Sequence, residues 1–234
     1  MNENAMQELR SLEYPRPLDD LDGDECFRVR GLIESYPFSL QGKKVLEIGT
    51  LDGLHACQLA SAGAIVTASD IRPRNLQRAL YRAMYYGLNN ITYRLLDMEA
   101  MGAVLKFDEY DLIFHSGCFY HLVNPVAHLR EIRGLAAYML LETHVLDPRY
   151  TPGEIEGYKG CWYPEPGWKA DMGAKDAGKS FWMVDASLEQ LFEDCNLSVV
   201  KVIYRHFPNP SGPRNCYLLK REEPKNGGDV NGSA

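Results

Sequence analysis

The chain has 234 residues, with 25 Lys+Arg against 32 Asp+Glu, a formal charge of −7. At 45% hydrophobic and 24% charged it has the composition of a globular protein long enough to bury its own core. That excludes a collagen-like or wholly disordered chain, and an overall basic surface of the kind that holds nucleic acid. The cysteines, at 26, 57, 118, 161, 195 and 216, form no CxxC pair, so neither a zinc ribbon nor a thioredoxin-like site is expected. Met1–Arg10 lacks the charged-then-apolar layout of a signal peptide. No apolar run approaches the ~20 residues of a membrane helix. The expectation is a cytoplasmic protein with reduced thiols and no membrane contact.

From about Lys43 onward, apolar runs alternate with helical patterns. Lys43–Ile48 predicts a buried strand and Gly53–Ala62 the helix after it. Ala64–Ser69 predicts a second strand. Pro73 opens the next helix at a position that tolerates proline, with Leu76, Leu80 and Met84 at helical spacing and Gly87 as its stop. Ile91–Leu96 and Tyr110–Phe114 predict two further strands. Asn124-Pro125 starts a helix with a capping residue followed by proline, Gly134 ends it, and Tyr138–Leu141 reads as a fifth strand. Repeated strand–helix–strand units imply an α/β fold with a mostly parallel sheet covered on both faces. Residues 151–180, rich in glycine, proline and aromatic side chains, break the pattern and are expected to be a long inserted loop. Asp185 then opens a helix with Leu188, Leu191, Phe192 and Cys195 on one face. Leu197–Tyr204 and Cys216–Lys220 predict two final strands paired as a hairpin. The expected organisation is a helical cap segment over 1–40, the main domain over 41–221 and a disordered tail over 222–234.

In an open parallel sheet, ligands bind beyond the carboxyl ends of the strands, where the strand order reverses. The informative residues are therefore Glu47–Gly53, Asp70–Ile71, Asp97-Met98, His115–His121 and Glu142–His144. Gly49-x-x-x-Gly53 lets backbone approach a ligand. It is not G-x-G-x-x-G, which disfavours a pyrophosphate, and Glu47 beside it suits a cationic ligand. Asp70 stands where a carboxylate can accept from both ribose hydroxyls, or cap the Pro73 helix. Asp97 could accept from an adenine amino group with Met98 against the ring, or cap a short helix. Three acids after three successive strands, with a glycine loop after the first, point to a nucleoside bearing positive charge.

Val45–Gly53 (VLEIGTLDG) and Thr67–Asp70 (TASD) resemble the first and second motifs of the class I S-adenosylmethionine-dependent methyltransferases. The resemblance covers residues 40–220 and implies a doubly wound, Rossmann-like, seven-stranded sheet whose last strand is antiparallel. Leu51 replaces the usual middle glycine of the first motif. The resemblance implies S-adenosylmethionine as cofactor, with Glu47, Gly49, Thr50 and Gly53 around its methionine part. It implies Asp70 and Ile71 at the ribose, Asp97 and Met98 at the adenine, and His115, Ser116 and Gly117 facing the ammonium or sulfonium. Asp111–His121, with Asn124-Pro125, Leu141–Thr143 and Phe181-Trp182, resembles the branch of the bacterial tRNA wobble-uridine carboxymethyltransferases and their shorter relatives. That branch uses a carboxylated cofactor held by basic residues and a tyrosine. Tyr120 matches the tyrosine, and Arg214 is a candidate cation. The acidic balance directs the expectation to the ordinary cofactor and a small-molecule acceptor.

A hydroxyl or protonated nitrogen acceptor must lose a proton as it attacks the methyl group in line with sulfur, which calls for a positioned base. An imidazole suits the role. His121, with Tyr120 beside it, stands first, then His144, then His115. Trp162, Tyr163, Trp168 and Trp182 are expected to wall or cover an aromatic, specialised-metabolite type of acceptor. Their alternatives are plain packing and a homo-oligomer contact. No ligand spacing calls for a metal. The rival functions are a tRNA wobble-uridine methyl- or carboxymethyltransferase and a non-catalytic protein of the same fold.

Overall fold

The structure, a computed structural model, describes residues 27–165, 173–174 and 178–223. The expected cap segment before Phe27 and the tail after Glu223 lie outside these residues. In chain order the strands are β1 (Lys44–Ile48), β2 (Ile65–Asp70), β3 (Ile91–Leu95), β4 (Tyr110–Ser116), β5 (Ala136–His144), β6 (Thr151–Ile155), β7 (Tyr158–Glu165), β8 (Gly178–Met183), β9 (Leu197–Phe207) and β10 (Arg214–Arg221). Seven of them form one sheet in the order β3-β2-β1-β4-β5-β10-β9. β1 pairs in parallel with β2 and β4, β2 with β3, and β4 with β5. β10 alone runs antiparallel, to both β5 and β9. The expected sheet is therefore present, and its order reverses between β1 and β4.

Burial on both faces explains the continuous apolar strands. On β1, Leu46 and Ile48 join one core and Val45 the other. One face carries α1 (Phe27–Ser35), α2 (Leu54–Ser61) and, beside α2, α3 (Pro73–Tyr85); Val29, Leu32, Ala56 and Leu59 fill it. The opposite face carries α4 (Pro125–Ile132) and α5 (Asp185–Asp194), through Val126, Leu129, Ile132, Leu188, Leu191 and Phe192. The starts read from sequence are local chemistry. Pro73 opens α3, and Asn124 caps α4 by accepting the Ala127 N–H at 3.0 Å.

The stretch expected as an inserted loop over 151–180 is ordered differently. β6, β7 and β8 form a separate three-stranded antiparallel sheet. Its apolar residues do not alternate with simple period two, because both β7 and β8 are largely buried at their inner ends. Tyr158, Phe181 and Met183 join the core beneath α4 and α5. Tyr158 donates to Asp194 at 2.5 Å, tying the small sheet to α5.

Candidate active site

A cavity of about 760 Å³ opens at the β1/β4 reversal. Its floor is the β1–α2 loop, a tight turn with three residues at positive φ: Gly49 (76°), Leu51 (51°) and Gly53 (79°). A Cβ on Gly49 would stand 2.8 Å from the Cys118 sulfur, and one on Gly53 2.6 Å from Ala79 of α3. These glycines therefore serve turn geometry and close packing, rather than only ligand approach. Glu47 does not line the cavity. It lies buried below the loop, where Thr50 donates to it at 2.5 Å, and burial raises its carboxyl to about 8.

Asp70, at the carboxyl end of β2, does line the cavity. Its Oδ2 accepts from the Leu51 N–H and the Asn75 amide, both at 3.1 Å, and its Oδ1 from the Arg72 N–H at 2.8 Å. The loop and the acid thus orient each other. Ile71, Asp97 and Met98 border the same end. Asp97 also caps the following turn by accepting the Glu99 N–H at 3.0 Å, so both of its expected roles are compatible.

The far end is cationic. Glu142 of β5, wholly buried, is held by Arg214 at 3.1 Å, Arg28 at 3.5 Å and the Gly117 N–H at 2.9 Å. Burial opposes its ionisation, but the two guanidiniums outweigh that and hold the carboxyl below its ordinary range. Arg214 also donates to the Tyr120 hydroxyl at 3.1 Å and to His144 Nε2 at 3.0 Å. Tyr120 is raised to about 12 by burial, so its phenol keeps its proton.

The histidines divide clearly. His121 lines the cavity, and its Nδ1 lies 2.7 Å from Glu165 Oε1. His144 is outside the lining; its Nδ1 faces the Pro213 carbonyl at 3.3 Å while Nε2 accepts from Arg214. Burial, then Arg214, lowers it to about 4, leaving a neutral ring with both nitrogens engaged. His115 is fully buried behind the cavity, 2.9 Å from His128 Nε2, and burial holds it well below its usual value. Ser116 and Gly117 do border the cavity.

The expected aromatic walls lie elsewhere. Trp182 is sandwiched between Tyr163 and His144, at 4.4 Å and nearly parallel to each, and its indole N–H donates to the Tyr120 carbonyl at 2.9 Å. Trp162 packs on Phe181. None of the three lines the cavity, and Trp168 falls outside the described residues. The aromatic lining is instead Tyr120 together with Phe27 and Phe207, the two phenylalanines stacked 5.1 Å apart where α1 meets the end of β9. Arg28 and Glu165 escape a reading by strand ends: one precedes the sheet and the other sits on an added strand. Only the placement of an acid at the end of an apolar, aromatic run hinted at Glu165. Among the described residues, no three His, Cys, Asp or Glu side chains gather to ligate a metal. No described helix is long and apolar enough to cross a membrane.

Residues 46–137 match the family model described as a methyltransferase domain. The chain is 29% identical over 112 residues to the tRNA U34 carboxymethyltransferase of Alcanivorax borkumensis, covering 47% of this chain and 34% of that one. It is 33% identical over 101 residues to the ubiquinone biosynthesis O-methyltransferase of Cereibacter sphaeroides, covering 43% and 40%. These matches span less than half the length of either relative. The N-terminal domain of EvdMO1, crystallised in the presence of S-adenosylhomocysteine and D-fucose, superposes with a TM-score of 0.71 at 19% identity, over 95% of this chain and 98% of that chain. The chain thus carries a methyltransferase-domain pattern over residues 46–137 on a Rossmann-like sheet similar in fold to solved S-adenosylmethionine-dependent methyltransferases.

Proposed function

We propose that this chain is an S-adenosylmethionine-dependent methyltransferase acting on an oxygen or nitrogen of a small molecule, with His121 as general base. The observation that carries the reading is Asp70, a carboxylate on the cavity wall whose orientation is fixed by the loop it faces. The residues fit the cofactor. Asp70 and Ile71 would hold its ribose, Asp97 and Met98 its adenine, and Thr50, Ser116 and Gly117 its methionine part. The acids Asp52, Asp70, Asp97 and Glu99 all border the cavity, which suits a ligand bearing a sulfonium. When bound, the cofactor supplies an electrophilic methyl group. His121 takes the acceptor's proton on Nε2, because Nδ1 is committed to Glu165. Phe27 and Phe207 offer apolar faces to the acceptor and help exclude water.

Calorimetry with S-adenosylmethionine and S-adenosylhomocysteine tests the reading. Saturable binding of both, lost in Asp70→Ala, is expected. Absence of binding by the wild-type chain would leave a non-catalytic protein of this fold.

A second reading is favoured by one feature, the cationic end. Arg28 and Arg214 face one carboxylate, Glu142, and the Tyr120 hydroxyl stands beside them. One positive charge is left over at the cavity wall, which suits a carboxylated cofactor and carboxymethyl transfer. This reading expects tighter binding of the carboxylated than of the ordinary cofactor, with the preference abolished in Arg214→Met.

A further inference from the structure

The small sheet β6–β8 places a buried acid behind His121, which lines the cavity. Glu165 is the last residue of β7, and its side chain is 1% exposed. Its Oε1 accepts from Ser180 of β8 at 3.0 Å and lies 2.7 Å from His121 Nδ1. Burial works against ionisation of this carboxyl. The hydrogen bonds from His121, Ser180 and the Ala174 backbone N–H outweigh that and hold it below its ordinary range. A carboxylate can only accept, so the neutral imidazole must carry its proton on Nδ1. Among the described residues no partner is recorded for Nε2, the nitrogen left for the cavity that His121 lines. Ser180 and the Ala174 N–H prevent Glu165 from rotating away.

We infer that Glu165 is a positioning residue: it fixes the Nδ1–H tautomer of His121, presents Nε2 as the basic nitrogen, and stabilises the imidazolium formed when the acceptor's proton arrives. The acceptor's O–H or N–H bond breaks, its proton binds Nε2, and its electron pair forms the new bond to the transferred carbon, whose bond to the sulfonium sulfur breaks with that electron pair left on sulfur as a neutral thioether. Glu165 itself remains ionised throughout and touches neither substrate nor cofactor. This role rests on the methyl-transfer reading for its use, but the tautomer it sets does not.

The test is Glu165→Gln in the full chain, with the near-isosteric side chain retained to keep the fold. In ¹⁵N-histidine spectra of the wild-type protein, His121, assigned by its loss in His121→Ala, should show a protonated Nδ1 and an unprotonated Nε2. Glu165→Gln should weaken or reverse that preference. With a simple phenol as probe acceptor, the same change should lower kcat 10- to 100-fold, while S-adenosylhomocysteine affinity stays within twofold. On a His121→Ala background, Glu165→Gln should cost nothing further, because it acts through that ring. A wild-type His121 protonated on Nε2, or a full additional loss on the His121→Ala background, overturns the inference. Failure of the chain to bind cofactor would overturn the methyl-transfer reading while the tautomer still decides the role of Glu165.

Discussion

Asp70 serves two partners at once. It anchors the backbone at Leu51 and Arg72, and it presents its remaining acceptor capacity to the cavity. Hydrogen bonds to a charged group contribute about 1.5–3 kcal/mol each, so Asp70→Ala should weaken cofactor binding on the order of 30-fold or more in calorimetry. Asp70→Asn keeps a neutral acceptor and should lose less. Leu51 is a second single-residue effect. It replaces the glycine usual in this motif yet keeps the glycine conformation, at φ 51°. A left-handed backbone costs a non-glycine residue about 1–2 kcal/mol, and glycine's greater unfolded-state freedom returns about 0.5–1 of that. Leu51→Gly should therefore raise stability by up to about 1.5 kcal/mol in denaturant titrations, whereas the β-branched Leu51→Val should lower it.

At the level of elements, the strand ends that border the cavity were legible from sequence and the small sheet behind His121 was not. Strand ends, helix starts at Pro73 and Asn124, and the acids Asp70 and Asp97 follow from local rules, because each feature lies within a few residues of the element that positions it. The small sheet obeys no such rule. Its strands are bounded by glycine and proline, and its aromatic residues are spent on packing, with Trp182 stacked between Tyr163 and His144. His121 and His144 look alike in the sequence, and only distant partners, Glu165 for one and Arg214 for the other, tell them apart. The sheet also acts at a distance through Trp182, whose N–H holds the Tyr120 carbonyl next to His121. Trp182→Phe keeps much of the ring stack but deletes that donor. It should lower kcat several-fold and leave cofactor affinity unchanged, a split that steady-state kinetics and calorimetry would read separately.

For the molecule as a whole, the buried titratable groups set a pH dependence. His115, His128 and His144 are all shifted down by burial, the last two to about 4. Between the usual histidine value of 6.5 and about 4, the unfolded chain binds more protons than the folded one, so stability is lost as pH falls through that window. Glu47 acts oppositely. Its carboxyl, raised from 4.5 to about 8, holds a proton in the folded state that the unfolded chain releases, so stability falls as pH rises between those values. Three groups oppose one below pH 6.5, and the fold should be weaker at pH 5 than at pH 7 in urea titrations. Glu47→Gln should flatten the decline on the alkaline side.

Residues 151–183 leave the main sheet after β5 and return just before α5. That one continuous excursion brings Glu165, Ser180 and Trp182, while the loop, Asp70 and Asp97 all lie between residues 48 and 98. The two halves of the chemistry can therefore change independently in evolution. A relative could exchange the excursion for another, giving His121 a different orienting partner, and inherit the glycine loop with Asp70 and Asp97 unaltered.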